Sequence, residues 1–172
     1  SHIINYERGI LLYSLIVKFK PNTVLEIGTA KGYSTLCMAW AMVDNNIDGK
    51  IFTIDPNSIE KKNEFIIQQD DKKSFSVSSV RELWKKIGKS SWLEKIKPIT
   101  GYAGEIMEKH DFPKIDFAYI DGAHFYEAVK HDFFTSLKNA SDDFCVLLDD
   151  YDLELSSGVR KLIDEISEKI NI

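Results

Sequence analysis

Several features that would send the reading of this sequence elsewhere are scarce or missing. Its 172 residues hold two cysteines, Cys37 and Cys145, far apart and without the close spacing of metal-binding pairs. Cys37 falls in an apolar helical run and Cys145 in an apolar strand, so both are expected to be buried free thiols, and a reducing cytoplasm is the expected location. No run approaches the roughly 20 apolar residues of a membrane span. Ser1-His2-Ile3-Ile4 lacks the charged-then-apolar pattern of a secretory leader, and a first residue other than Met is expected of a trimmed chain. Positive charge is not in excess. Lys and Arg number 22 against 27 Asp and Glu, and the net charge of -5 offers no general attraction to nucleic acid or anionic membrane. The Gly-x-Gly-x-x-Gly of dinucleotide enzymes and the Lys-Ser/Thr ending of a P-loop are absent, so pyrophosphate is not the favoured ligand. No Tyr-x-x-x-Lys proton-donor pair is expected near the site, and no Asn/Asp-Pro-Pro-aromatic signature follows the fourth strand.

What is present is ordinary in bulk and specific in one place. Apolar residues at 44% and charged residues at 28% suit one globular domain large enough to bury a core, and a small molecule is the expected partner. From Val24 to Thr35 the chain reads Val-Leu-Glu-Ile-Gly-Thr-Ala-Lys-Gly-Tyr-Ser-Thr, a short buried strand turning through Gly28 and Gly32 into an amphipathic run from Ser34. Gly28 admits backbone conformations closed to other residues and a close ligand approach, while Gly32 lets the helix start near the strand. Free amides at the helix start favour a carboxylate or phosphate. Glu26, at the carboxyl end of the strand, can accept hydrogen bonds from a ligand amine or hydroxyl. The alternative is a strand-to-helix turn with convenient glycines.

The spacing Glu-x-Gly-x-x-x-Gly resembles motif I of the class I S-adenosylmethionine-dependent methyltransferases. Gly32-Tyr33-Ser34 resembles the catechol O-methyltransferase-like and macrocin O-methyltransferase-like branches. The resemblance implies S-adenosylmethionine as cofactor, held by Glu26, Gly28, Thr29, Ala30, Gly32 and Ser34.

Around this stretch strands and helices alternate. A helix is expected over Ile10 to Phe19, with Glu7 and Arg8 before it and Pro21-Asn22 ending it. Strands are expected at Thr23 to Ile27, Lys50 to Ile54, Ile96 to Thr100, Ile115 to Ile120 and Phe144 to Leu148. Helices are expected near Gly32 to Val43, Val77 to Ile87, just past Gly101, Tyr126 to Leu137 and Gly158 to Ile170. Gln68 to Ser76, in a polar, lysine-rich region, reads as an exposed, mobile loop. The alternation predicts an α/β fold, a doubly wound Rossmann-like, mostly parallel sheet with helices on both faces. Class I methyltransferases add sixth and seventh strands after this last helix. Neither has sequence here, so residues 1–172 are expected to form a single domain that is incomplete at its C-terminus.

Asp55 closes the second strand beside the glycine turn, where an acid takes ribose hydroxyls in Rossmann-like folds. The resemblance implies that role on the adenosine ribose; an Asx turn before Pro56 is the alternative. The resemblance also implies Tyr102 or Ala103, just past the third strand, beside the adenine ring, and Tyr102 reads equally as a surface aromatic.

Strands four and five are neighbours in such a sheet, about 5 Å apart. The tips Asp121-Gly122-Ala123-His124 and Asp149-Asp150-Tyr151-Asp152 then share the edge that carries the glycine turn. Asp121, Asp149 and Asp150 have no basic partner close in sequence and would repel one another. A hard divalent cation would relieve that repulsion, and oxygen ligands favour magnesium or calcium over zinc. The resemblance implies magnesium as well. Catechol O-methyltransferase-like enzymes hold it with an Asp after strand four and an Asp-Asn pair after strand five, and the macrocin and cephalosporin-hydroxylase-like branches use an acidic pair, as here. Turn caps on two helices are the alternative. His124 is a candidate base, since imidazole side chains titrate near neutral pH; it reads equally as a helix-start residue or a partner of Asp121.

These features lead to the expectation of an S-adenosylmethionine-dependent O-methyltransferase acting on a hydroxyl of a small molecule, assisted by a divalent metal. Asp121 and His124 are the expected catalytic residues. No nucleic-acid or membrane partner is expected, and a homo-oligomer is compatible with the sequence. A non-catalytic binding or partner domain on the same fold is the alternative from another class, and an NAD(P)-dependent oxidoreductase is a less favoured one.

Overall fold

In the computed structural model, which describes residues 5–62, 65–69, 73–77, 79–109, 111–151 and 157–170, the strand Thr23–Ile27 (β1) is buried at all five positions. A strand without alternation is stable only with cover on both faces, which puts it at the centre of a sheet. Its parallel neighbours are Lys50–Asp55 (β2) and Ile115–Ile120 (β6). Ile96–Thr100 (β5) extends the sheet beyond β2, and Ala140–Leu148 (β7) extends it beyond β6, both parallel. The order β5-β2-β1-β6-β7 reverses direction between β1 and β6, so a crevice opens at the carboxyl ends of those two strands.

Two helical layers cover the sheet. Tyr6–Phe19 (α1), Tyr33–Asp44 (α2), Val80–Ile87 (α3) and Ser90–Leu93 (α4) enclose a core that includes Leu12, Ile16, Met38, Met42, Trp84 and Phe117. Ala103–Lys109 (α5), Tyr126–Lys138 (α6) and Ser157–Ile170 (α7) enclose a second core that includes Leu25, Ile54, Met107, Phe133 and Leu162. This is the doubly wound, Rossmann-like α/β sheet that the alternation predicts.

Four boundaries differ from expectation. The first helix starts at Tyr6, earlier than the apolar run, because Asn5 caps it by accepting from the Arg8 amide at 2.9 Å. The loop expected over Gln68 to Ser76 is instead the antiparallel hairpin Phe65–Gln69 (β3) and Lys73–Val77 (β4), paired from Phe65↔Val77 to Gln69↔Lys73. Lys73-Ser74-Phe75-Ser76-Val77 carries the two-residue alternation of a strand, which the lysine-rich surroundings obscure. The third helix begins at Val80 rather than Val77, where Ser79 accepts from the Glu82 amide at 3.2 Å. The strand expected from Phe144 begins at Ala140, after an irregularity in its pairing between Ile115 and Phe117. Among the described residues β7 is an edge strand. Cys37 and Cys145 are free thiols but half-buried, not buried. His2, His110 and Asp152 lie outside the described residues.

Candidate active site

The turn from β1 into α2 is built by contacts from three other elements. Gly28 has φ +99, its amide donates to the Ile54 carbonyl at 2.9 Å, and a Cβ there would stand 2.2 Å from the Asp121 carbonyl oxygen. Only glycine fits, because the end of β6 lies against the turn. Ala30 takes a left-handed conformation (φ 45), and the Gly32 amide closes the turn on the Thr29 carbonyl at 2.7 Å. Gly32 has φ +81, and its missing side chain makes room for Trp84, whose Nε1 would be 2.2 Å from a Cβ. Trp84 Nε1 donates to the Lys31 carbonyl at 2.9 Å, so α3 locks the loop from above. Gly32 therefore serves a tryptophan contact, a reason for the second glycine that its spacing does not reveal. Thr29 turns its hydroxyl inward to Thr53, 2.5 Å away. Ser34 is buried in the first turn of α2.

Glu26 has no exposed surface. Its Oε2 accepts from Thr35 Oγ1 at 2.5 Å, while Oε1 is buried without a hydrogen-bond partner. Burial pushes its pKa up from 4.5 to about 8. The Thr35 and Thr53 hydroxyls pull the value down, and the Asp121 and Asp55 charges push it up. A buried acceptor without a donor lacks one partner.

Asp55 is half-buried at the end of β2. Its Oδ2 accepts from the Ala30 amide at 3.0 Å, tying β2 to the glycine turn, and its Oδ1 accepts from the Asn57 amide at 2.7 Å. The Asx turn and the position beside the turn thus coexist. Each oxygen keeps a second lone pair for a ligand hydroxyl. The Asp55 carbonyl accepts from the Gly101 amide at 3.0 Å, which brings the residues after β5 alongside. There Ala103 is buried and Tyr102 is 65% exposed.

The acidic tips are neighbours, as the strand order requires, and the Asp149 amide donates to the Ile120 carbonyl at 3.0 Å. They have no basic partner close in sequence, but the fold supplies a distant one, which corrects the expected uncompensated repulsion. Arg8, 113 residues away in sequence, places Nη1 2.8 Å from Asp121 Oδ2 and 3.0 Å from Asp149 Oδ2. Tyr119 donates towards the same two oxygens, at 3.1 Å to Asp121 and 2.5 Å to Asp149. Burial, reinforced by the Asp149 charge, pushes Asp121 up to about 6 although Arg8 pulls it back. Asp150 has φ 60, and its Oδ2 lies 3.3 Å from His124 Nε2. Asp121, His124 and Asp150 each offer one ligand atom within 4.8 Å of the others. The cluster that could hold a cation therefore exchanges Asp149, in the expected trio, for His124.

Arg8 and Tyr119 are the site residues that sequence reasoning missed. Arg8 carried a faint signal, since it stands four and eight positions before the buried Leu12 and Ile16, on the core side of α1. Tyr119 reads as an apolar strand residue and is fully buried. A Tyr-x-x-x-Lys spacing does occur in the chain, at Tyr126 and Lys130. The Tyr126 hydroxyl donates to Glu165 of α7, and Lys130 Nζ donates to it at 2.8 Å, so the pair fastens α6 to α7.

A family model described as a methyltransferase domain matches residues 25–151. Solved structures share the fold. An O-methyltransferase from Bacillus cereus in complex with S-adenosylhomocysteine is 17% identical, with TM-score 0.69, over 98% of this chain and 72% of that one. The O-methyltransferase TomG from Streptomyces achromogenes, involved in tomaymycin synthesis and in complex with S-adenosylmethionine, is 19% identical, with TM-score 0.61, over 96% and 70%. The S-adenosylhomocysteine-bound methyltransferase PaMTH1 from Podospora anserina is 17% identical, with TM-score 0.66, over 97% and 74%. No curated protein matches the chain in sequence.

Proposed function

The chain belongs to the methyltransferase-domain family, and from that premise we propose that it moves the methyl group of S-adenosylmethionine to a hydroxyl oxygen of a small molecule. The observation that carries this reading is the buried, unpartnered Oε1 of Glu26 under the glycine turn. An ammonium donor, such as the amino group of the cofactor's methionine part, would satisfy that oxygen once the turn opens to admit it, since the carboxyl has no exposed surface in the ligand-free chain. Asp55 accepts from ribose hydroxyls, the turn from Gly28 to Gly32 passes along the cofactor, and Ser34 lies at the helix start. Ala103 and Tyr102 border the adenine.

S-adenosylmethionine, when bound, supplies a methyl group on a sulfonium, and sulfur leaves with the electron pair as the new carbon–oxygen bond forms. The protein's part is position and proton management. His124, with Asp150 3.3 Å away to hold the imidazole, takes the acceptor's hydroxyl proton. Asp121 stands in the same cluster and orients the acceptor oxygen.

The donor set also fits a divalent cation, since two carboxylates and an imidazole converge within 4.8 Å. Asp121, His124 and Asp150 would hold it, with Asp149 beside them, and His124 would then serve as a ligand in place of its role as base; the cation would draw electron density from an acceptor hydroxyl and so ease loss of the proton. Magnesium suits the oxygen ligands, and the histidine nitrogen admits manganese or cobalt.

The test is transfer of labelled methyl from S-adenosylmethionine to a panel of catechols, sugars, macrolides and other diols. Label on an oxygen of one class is the expected result. Binding of S-adenosylhomocysteine with no transfer to any of them would favour a non-catalytic partner domain on the same fold.

A further inference from the structure

We propose that Arg8 is a resident counter-cation of the acidic tips, one that a divalent cation must displace, so that Arg8 sets how tightly metal binds. The inference rests on the metal-assisted reading above.

A single guanidinium nitrogen, Nη1, faces carboxylates on both neighbouring strand tips, 2.8 Å from Asp121 and 3.0 Å from Asp149. It also donates towards the Tyr119 hydroxyl at 3.4 Å. The charge that two adjacent acids would otherwise leave uncompensated is thereby met inside the chain. Asp121 is claimed twice, because it is also a member of the Asp121, His124 and Asp150 group that converges within 4.8 Å. A divalent cation entering that group meets a fixed positive charge bonded to one of its own ligands, and like charges at such range in a half-buried setting repel strongly.

Arg8 is held in a way that permits exchange. Its Nε is buried and has no hydrogen-bond partner, a donor that water would satisfy if the side chain swung out. The side chain keeps 30% of its surface exposed, so the outward path is open. Its backbone is fixed, because Asn5 caps the helix through the Arg8 amide and Leu12 and Ile16 anchor the same face. Exchange is then a change of side-chain position on a fixed helix. With Arg8 inward, Asp121 and Asp149 are ordered without metal; with Arg8 outward, both become available to the cation.

Binding of Mn(II) alone, followed by the electron paramagnetic resonance of the free ion, tests this on the whole chain. Arg8→Met should bind Mn(II) about tenfold more tightly than the wild type, and Asp121→Asn should remove binding in either background. In EDTA, Arg8→Met should melt lower than wild type, and Mn(II) should raise its melting temperature by more than it raises that of the wild type. Mn(II) affinity less than fivefold tighter in Arg8→Met, including equal or weaker binding, would overturn the proposal. Should Arg8→Met not fold in EDTA, it is measured in Mn(II) beside Arg8→Gln. Failure of both to fold with Mn(II) present would also overturn it, since the cation is held to replace the guanidinium. A parallel titration with S-adenosylhomocysteine keeps the two readings apart. Lost cofactor binding in the wild type counts against the methyltransferase site, and the Mn(II) comparison remains readable without it.

Discussion

Thr35 donates to Glu26 at 2.5 Å and satisfies one oxygen of a carboxyl that has no contact with solvent, leaving the other without a donor. Burial raises the Glu26 pKa from 4.5 to about 8, so the folded, ligand-free chain holds this proton at neutral pH and the unfolded chain does not. The folded state therefore binds more protons between those two values, and stability falls as pH rises across that window. Asp121 and Asp132, both pushed up from 3.8 to about 6 mainly by burial, act with the same sign over the lower part of the range. Urea unfolding between pH 4.5 and 8 should show this decline. Glu26→Gln should flatten it and stabilise the ligand-free protein near pH 8 by on the order of a few kcal/mol.

The same carboxyl should report ligand binding. An ammonium placed at Oε1 favours the ionised form of Glu26, so S-adenosylhomocysteine binding at pH 7 should release up to about one proton. Calorimetry in two buffers of different ionisation enthalpy counts it, and Glu26→Gln should abolish the release. Binding without proton release in the wild type would place the ligand amine elsewhere.

Asp55 binds the Ala30 amide and is proposed to bind the ribose, so its loss acts twice on the cofactor. Asp55→Ala should weaken S-adenosylhomocysteine binding by about 1 to 3 kcal/mol, as read by titration calorimetry.

Alanine at the two turn glycines should separate them. At Gly28 the added methyl meets the Asp121 backbone carbonyl, which cannot move without pulling β6 away; at Gly32 it meets the Trp84 side chain. Both positions have positive φ. Thermal melts should show each variant destabilised by roughly 1 to 3 kcal/mol. Trp84 fluorescence should change in Gly32→Ala and remain near that of the wild type in Gly28→Ala.

The parts of this fold that were legible are those with local signals. The short, largely apolar β1, the glycine turn after it and the acids closing β2, β6 and β7 could be placed because the parallel sheet brings every such strand end to one edge. The β3 and β4 hairpin was not legible, because its alternation is short and sits among lysines. Arg8 was not legible as a site residue for a different reason. Its partners Asp121 and Asp149 are reached only through the packing of α1 on the sheet, and an arginine near a helix start reads as solvated.

The cofactor site and the acidic tips are separable in this account. Titration calorimetry with S-adenosylhomocysteine, in magnesium and again in excess EDTA, with NADH as control, tests the central claim most directly. The expected result is comparable binding of S-adenosylhomocysteine in both conditions and none of NADH, because the Glu26 and Asp55 contacts involve no metal. Binding of NADH with none of S-adenosylhomocysteine would contradict the account at its root.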